Sequence, residues 1–282
     1  MAKDYEKLTL SNDFVFGKVM ENKELCRRVL ETLLQTEIEM LDYLHREKEI
    51  QQSSESKPIR LDIYVRDSKD ALYDAEMQNK NGKSLGTLAL PKRSRYYQSL
   101  MDSESLKKGL DYRCLNDSYV VFICTFDPFG QGKYMYTFKN VCEEDKDLSL
   151  GDQTTKIFFN TKSKEESIPQ KIKNLFDYIQ NGIVADELTR DLDTAVKKLR
   201  YDEEWWGEYM KTIVHDMDVR YEGIEIGRHE GIEIGRLEGG IETLIHTCQE
   251  FNASRETTKD KLMQQFKLSA EAAEEELGKH WK

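Results

Sequence analysis

The sequence lacks the features of several large protein classes. No apolar run approaches the roughly 20 residues that cross a bilayer, and the first thirteen residues lack the apolar core of a secretory signal. The five cysteines are scattered, odd in number and never spaced as CxxC, and the five histidines form no HxxxH or HExxH pattern. These absences argue against a membrane protein, a disulfide framework and a structural zinc site. We therefore expect a cytoplasmic chain that makes no membrane contact.

What the chain does contain is typical of a folded protein with a highly charged surface. Hydrophobic residues make up 38% of the 282 residues and charged residues 34%, and prolines number only four. The net charge of −11 argues against a nucleic-acid partner, but residues 80–113 hold eight Lys or Arg against three acids. This basic segment directly follows an acidic pattern. Taken alone, it is equally typical of a solvated helix face.

Hydrophobic periodicity predicts a helix and then a hairpin in the first part of the chain. A helix is expected over residues 11–34, capped by Ser11 or Asn12. The period then changes to two in Ile59–Val65 and again in Leu72–Gln78, which is typical of strands. The turn-like cluster between them predicts a β-hairpin.

This hairpin places two acids opposite each other. If a three-residue loop, Ser68–Asp70, joins the strands, Asp62 lies directly across from Glu76, with Cβ atoms about 4.5–5.5 Å apart. Gln78 lies on the same face, one pleat further along. A register shift of one residue would move Asp62 to the other face, so the register decides whether the two acids meet.

Two directly opposed carboxylates repel each other unless a cation binds between them. Hard oxygen ligands of this kind suit Mg²⁺ or Mn²⁺. Such an ion can lower the pKa of a bound water, polarise a phosphoryl group and stabilise a leaving group, while Gln78 orients the water. Because a D…ExQ triplet is short and common, the alternative is a set of solvated side chains on the outer face of a hairpin.

The remaining segments predict an α/β core followed by an all-helical C-terminal region. A helix is expected from Pro91 to Gly109, and residues 118–126 are so continuously apolar that we expect a central strand. Other predicted segments are a loop over 51–57, strands over 134–138 and 156–159, and helices over 169–180, 186–199 and 205–219. The expected divisions are an α/β domain over 1–165, a helical region over 166–222, a glycine-rich segment over 223–240 and short helices within 241–282.

The glycine-rich segment contains a tandem repeat, GIEIGRHE followed by GIEIGRLE, with glycine at every fourth position from Gly223 to Gly239. As a helix it would be weak in isolation, because each glycine costs about 1 kcal/mol relative to alanine, and it would need a closely packed partner. Self-association into a homo-oligomer is one interpretation, and a flexible linker is another. The two-residue alternation of GIEIG leaves a strand open as well.

The hairpin and the segments around it resemble a known superfamily. The segments IRLDIYV and YDAEMQNK, separated by a turn, are similar to motifs II and III of the PD-(D/E)XK nucleases. The wider chain resembles the recombination-promoting nuclease (Rpn) and transposase branch of that superfamily over about the first 160 residues. The other matching segments are LSNDFVFGKVM, PKRSRYYQSLMD, the Gly109-x-x-Tyr112 spacing, YVVFICTFDPFGQGKYMYTF and the glycine-rich repeat.

The resemblance implies a restriction-endonuclease-like core, a mixed four-stranded sheet flanked by helices, that cuts DNA with Mg²⁺. It implies that Asp62, Glu76 and the backbone carbonyl of Met77 bind the metal. Gln78 stands where many relatives carry Lys, and an amide can position a water but supplies no positive charge. Lys80 has the same strand parity as Gln78 and could supply that charge; the alternative is a strand-end lysine that reaches solvent.

Basic and aromatic residues near these motifs are candidate DNA contacts. Arg93, Arg95 and Tyr97 lie on the helix after the ExQ strand, and Lys57 precedes the Asp62 strand. Such phosphate contacts would position DNA without reading its sequence. The alternative is that Tyr97 is part of the core and the arginines extend along the surface to solvent. Asp13, in the first helix, is interpreted as a cap rather than a ligand.

The leading hypothesis is therefore a Mg²⁺-dependent DNA endonuclease of low sequence specificity, linked to recombination, mobile elements or defence. The alternative is a catalytically silent DNA-binding or assembly protein that keeps the nuclease fold. RNA as the substrate is a third hypothesis. No helix-turn-helix or zinc-finger pattern predicts base reading, and no DDE triad supports transposition.

Overall fold

The structure is a computed structural model that describes residues 8–43, 49–50, 59–79 and 89–281. The predicted loop over 51–57 lies outside these residues, as do Lys57 and Lys80. The chain divides into two compact units, Met1–Trp206 and Gly207–Lys282. The domain boundaries expected at residues 165, 222 and 240 stay predictions.

A mixed sheet forms the centre of the first unit. The strands are β1 (Leu41–Tyr43), β2 (Glu49–Ile50), β3 (Ile59–Arg60), β4 (Ile63–Asp67), β5 (Leu72–Gln78), β6 (Ser118–Cys124), β7 (Met135–Phe138) and β8 (Thr154–Asn160). Six of them form one sheet in the order β1-β4-β5-β6-β8-β7, while β2 and β3 pair separately. The inner strands β5, β6 and β8 run parallel, and the other neighbours run antiparallel. The four strands that the resemblance implies correspond to β4, β5, β6 and β8, with β1 and β7 added at the edges.

Helices flank this sheet and make up the second unit. They are α1 (Asp13–Met20), α2 (Lys23–Leu34), α3 (Leu90–Ser105), α4 (Gln170–Asn181), α5 (Glu187–Arg200), α6 (Glu203–Glu250), α7 (Arg255–Phe266) and α8 (Ala270–His280). On one face, α3 contributes Leu100 and Met101 to a core that includes Phe122 of β6. On the other face, Phe176 of α4 contacts Phe159 of β8, with ring centroids 6.1 Å apart. The architecture is therefore the predicted α/β core with helices on both sides.

The prediction of one helix over 11–34 was wrong, because the chain breaks at Asn22. The Asn22 side chain accepts hydrogen bonds from the backbone N–H groups of Glu24 and Leu25, which starts a new helix there. Asn12 caps α1 as predicted, through a bond from the N–H of Val15. The helix predicted from Pro91 is also shorter than expected, since α3 ends at Ser105.

The predicted hairpin has the predicted register. Ile63 pairs with Ala75 and Tyr64 with Asp74, which is the pairing that a three-residue loop requires. The side chain of Asp67 accepts bonds from the loop N–H of Lys69 and from that of Ala71, and so fixes the turn. The single strand predicted over Ile59–Val65 is interrupted, however. Leu61 and Asp62 form a bend, and the residues before it pair with β2 instead.

The second unit consists of α6 from Gly207 onward, together with α7 and α8. The 48-residue α6 runs without interruption through the glycine repeat, so the repeat is a helix rather than a strand or a linker. Ile241 and Ile245 at its end pack with Leu262 and Leu277 into a small core. Ser254 and Ser269 cap the last two helices. None of the helices in the described ranges combines the length and the apolar content that a membrane span requires.

Candidate active site

Two hydrogen bonds link Asp62 to the adjacent residues Glu76 and Met77 across the hairpin. The backbone N–H of Asp62 donates to Glu76 Oε1 at 2.9 Å, and the backbone N–H of Met77 donates to Asp62 Oδ2 at 3.0 Å. The bend before β4 allows this exchange, because it frees the Asp62 N–H from the sheet ladder. The structure therefore brings the two predicted acids together on one side of the hairpin.

Helix α1 packs behind this bend. A Cβ built on Gly17 would lie 3.6 Å from the carbonyl oxygen of Asp62, which is ordinary van der Waals contact. Asp13, at the start of the same helix, is exposed and accepts a bond from the N–H of Phe14. The cap of α1 is therefore Asn12 rather than Asp13. Asp13 nevertheless adds to the negative potential that Asp62 experiences.

A third acid, Asp74, lies beside the pair. Its side chain is fully buried, and its carboxyl group interacts with that of Glu76. The alternation of β5 places Asp74 on the same face as Glu76 and Gln78. The two-residue alternation of β5 therefore identifies Asp74 as a candidate site residue, but the D…ExQ triplet does not include it.

Burial and mutual repulsion make all three acids difficult to ionise. The pKa of Asp62 is raised well above its ordinary value, first by the protein atoms packed around its carboxyl group and then by the charge of Glu76. The pKa values of Asp74 and Glu76 are raised in the same way, by burial first and by a neighbouring acid second. Arg93 opposes all three shifts. If all three acids ionised, the site would carry more negative charge than the single positive charge of Arg93 neutralises.

Arg93 enters this acidic cluster from the first turns of α3. Its Nη1 donates to Gln78 Oε1 at 2.9 Å, and its Nη2 donates to Glu76 Oε2 at 3.2 Å and to the Tyr97 hydroxyl at 2.7 Å. The guanidinium carbon lies 5.2 Å from the ring centroid of Tyr97 and 5.4 Å from that of Phe122. Arg93 is therefore held in place by both stacking and hydrogen bonds.

The other candidate DNA contacts occupy different environments. Arg95 is exposed on the outer side of α3. Tyr97 is buried, with 6% of its surface exposed, so its position favours support of Arg93 over direct contact with DNA. Lys57 and Lys80 fall in parts of the chain that the structure does not describe, and their contacts stay predictions.

The donor atoms fit a hard divalent cation. Asp62 and Glu76 offer carboxylate oxygens, and the Met77 carbonyl, which now accepts a bond from Gln78 Nε2 at 3.0 Å, offers a third oxygen. Among the described residues, no three His, Cys, Asp or Glu side chains form a ready ligand group, so the protein's share would be two carboxylates and a backbone carbonyl. A divalent cation would compensate the negative charge of the ionised carboxylates, which favours its binding.

Comparison with known proteins agrees with this geometry. A family model described as PD-(D/E)XK nuclease family transposase matches residues 10–180, which include the whole six-stranded sheet and helices α1 to α3. No curated protein and no solved structure matches the chain. Because the match covers more than half of the chain, the protein belongs to the PD-(D/E)XK nuclease family transposases.

Proposed function

We propose that this chain hydrolyses DNA phosphodiester bonds at the cluster formed by Asp62, Glu76 and Gln78, with Mg²⁺ as cofactor and Mn²⁺ able to replace it. The observation that carries the proposal is that hydrogen bonds from the backbone N–H groups of Asp62 and Met77 hold the Glu76 and Asp62 carboxyl groups together, in a setting that raises both pKa values. Strongly perturbed carboxyl groups that converge on one point are typical of sites that bind a cation or transfer protons.

Each residue of the cluster would have a separate role in the reaction. A divalent cation held by Asp62, Glu76 and the Met77 carbonyl supplies a Lewis acid at the reacting phosphate. The N–H of Met77 fixes the Asp62 carboxylate, and the N–H of Asp62 fixes that of Glu76, so both are oriented before substrate arrives. Gln78 is oriented by its bonds to Met77 and Arg93, and its amide is available to position a water.

DNA would approach along the exposed side of α3. Lys92 and Arg95 are exposed there, one turn apart, and can contact successive phosphates. Lys57 and Lys80, which lie outside the described residues, remain predicted phosphate contacts. Phosphate contacts carry no sequence information, which agrees with an endonuclease of low specificity in recombination, mobile-element biology or defence.

Plasmid cleavage tests this function directly. Supercoiled DNA is incubated with Mg²⁺ and with wild-type protein, Asp62→Ala or a control, Asp42→Ala, which removes an exposed acid from β1. We expect the wild type and the control to nick the plasmid and Asp62→Ala to fail. Equal nicking by all three proteins would remove the assigned site.

The same assay separates the alternatives. DNA binding without cutting by the wild type, in Mg²⁺ and in Mn²⁺, would favour the catalytically silent DNA-binding or assembly protein. Faster cleavage of an RNA of matched length would favour RNA as the substrate.

We further propose that two copies of the chain pair through α6. Five apolar side chains on this helix, each between 47% and 63% exposed, recur with the alternating spacing of four and three residues found in coiled coils. A seam with heptad spacing is complementary to a second copy of itself. The five are Met210, Val214, Met217, Tyr221 and Ile224.

Sedimentation analysis of wild type and Tyr221→Glu tests the pairing. We expect a dimer for the wild type and a monomer for the variant, because a charge in the seam cannot be solvated there. His215→Glu, which places the same charge on α6 outside the heptad positions, serves as the control. A monomeric wild type at high concentration would contradict the proposal.

A further inference from the structure

The positive charge that many relatives carry at residue 78 is absent from β5, yet a positive charge lies beside that residue. Arg93 Nη1 is 2.9 Å from Gln78 Oε1, so the guanidinium occupies the space just beyond the Gln78 side chain. A lysine at position 78 is longer than glutamine and would extend in that direction. The positive charge beside residue 78 therefore comes from the first turns of α3.

We propose that Arg93 supplies the positive charge that Gln78 lacks, and that it also competes with the divalent cation for Glu76 before that cation binds. This inference rests on the proposed nuclease function for its first half. The second half concerns the metal-free protein and stands on the bond of 3.2 Å between Arg93 Nη2 and Glu76 Oε2.

The environment of Arg93 explains how one side chain serves both purposes. The rings of Tyr97 and Phe122 support the guanidinium, and the Tyr97 hydroxyl accepts one of its bonds, so it keeps its place without Glu76. About a third of the side chain remains exposed, which leaves the outer N–H groups accessible. When a cation takes Glu76, the freed Nη2 can donate to a phosphate oxygen, for which the planar guanidinium is well suited.

Arg93 and a divalent cation compete for the Glu76 carboxylate because both are positively charged. Arg93 now lowers the energy of an ionised Glu76 in the way that a metal ion would, and a divalent cation and a guanidinium on one carboxylate repel each other. Removal of Arg93 should therefore strengthen cation binding while it weakens catalysis. A residue with a merely structural role would change both in the same direction.

The experiment combines a charge swap with a binding measurement. Arg93→Gln, Gln78→Lys and the double variant are compared with wild type for plasmid cleavage and, without DNA, for Mn²⁺ affinity by calorimetry. Arg113→Gln is the matched control, because it removes an arginine whose side chain is 89% exposed. Thermal melting checks that each variant is folded.

We expect Arg93→Gln to cleave about 100-fold more slowly, as for the loss of one charge-stabilising donor. We expect the same variant to bind Mn²⁺ about threefold or more tightly, since it lacks the competing charge. The double variant should recover at least about tenfold of the lost rate, because the lysine introduced on β5 restores charge at the same place. Gln78→Lys alone should not exceed the wild-type rate, since Arg93 already provides the charge and the substitution removes the amide that positions the water.

Three results would overturn the inference. Unchanged cleavage and Mn²⁺ affinity in Arg93→Gln would show that Arg93 has neither role. Weaker Mn²⁺ binding together with slower cleavage would show a structural role. A gain of more than about tenfold in Gln78→Lys alone, which does not depend on the folding of the Arg93 variant, would show that the charge was missing.

Lys80→Gln addresses the competing source of charge. A large loss of rate in that variant, with little loss in Arg93→Gln, would assign the charge to Lys80 instead. If the wild type cleaves no nucleic acid, the proposed function fails, but the calorimetry still decides whether Arg93 competes with the cation.

Discussion

The two units of the protein leave different kinds of groups without suitable partners. The first unit buries the carboxyl groups of Asp74 and Glu76 and half-buries Asp62 beside the Arg93 guanidinium, although buried charge is costly unless it is compensated. The second unit does the opposite, because α6 exposes a series of large apolar side chains to water. Each arrangement costs stability in the isolated chain, and the proposed cation and the proposed second copy of α6 would offset these two costs.

The largest expected effect is that of a substitution in the acidic cluster of the first unit. Glu76→Gln keeps the shape of the side chain but removes the charge that the cation and Arg93 share. We expect cleavage to fall by on the order of 10³-fold, in line with the several kcal/mol that a metal contributes. Initial rates of plasmid nicking measure it, with Asp42→Asn as the control. A loss of less than about tenfold would mean that Glu76 is not a ligand.

A second prediction concerns pH. Because the pKa values of Asp62 and Glu76 are raised, the metal-free site keeps protons above the ordinary values of 3.8 and 4.5, and a cation must displace them. We expect Mn²⁺ affinity to rise with pH by up to about tenfold per unit below the raised values. Calorimetry at pH 6, 7 and 8 measures this slope. A flat profile would contradict the raised pKa values.

The Asp74→Asn variant tests whether the buried acids of the first unit cost stability, since it removes a buried acid that is not a proposed ligand. A raised pKa means that the folded state keeps a proton which the unfolded chain releases near pH 4, so stability is full below that pH and is lost as pH rises through the raised value. The amide cannot ionise, and we expect the metal-free variant to be more stable than wild type by about 1–3 kcal/mol at pH 7. Urea denaturation should show little or no gain at pH 4, and a variant less stable at both pH values would refute this account.

The smallest expected effect belongs to α6. Gly223 lies away from the heptad seam, and a Cβ built on it meets nothing within 4 Å. Gly223→Ala should therefore stabilise the helix by about 1 kcal/mol and leave self-association unchanged. Thermal unfolding and sedimentation together measure this. Loss of association in this variant would show that two copies of α6 contact each other through the glycine face rather than through the heptad positions.

Local sequence signals predicted the hairpin and the inner strands well, because these follow from alternation and a short turn. The pairing of Asp62 with Glu76 came from the loop length alone. The break at Asn22 was missed because apolar spacing continues across it, and only the side-chain cap distinguishes two helices from one. The sequence identified Arg93 as a candidate site residue, but its contact with Gln78 could not be predicted, since it joins residues fifteen positions apart on different elements.

The start of α3 carries one further consequence. Ala89 precedes the helix and offers no side-chain cap, so the first backbone N–H groups of α3 keep their partial positive charge, equivalent to about half an elementary charge. Arg93 extends from those same turns to Glu76. The positive end of the helix dipole and the guanidinium that reaches Glu76 therefore belong to the same turns of α3 and carry the same sign of charge.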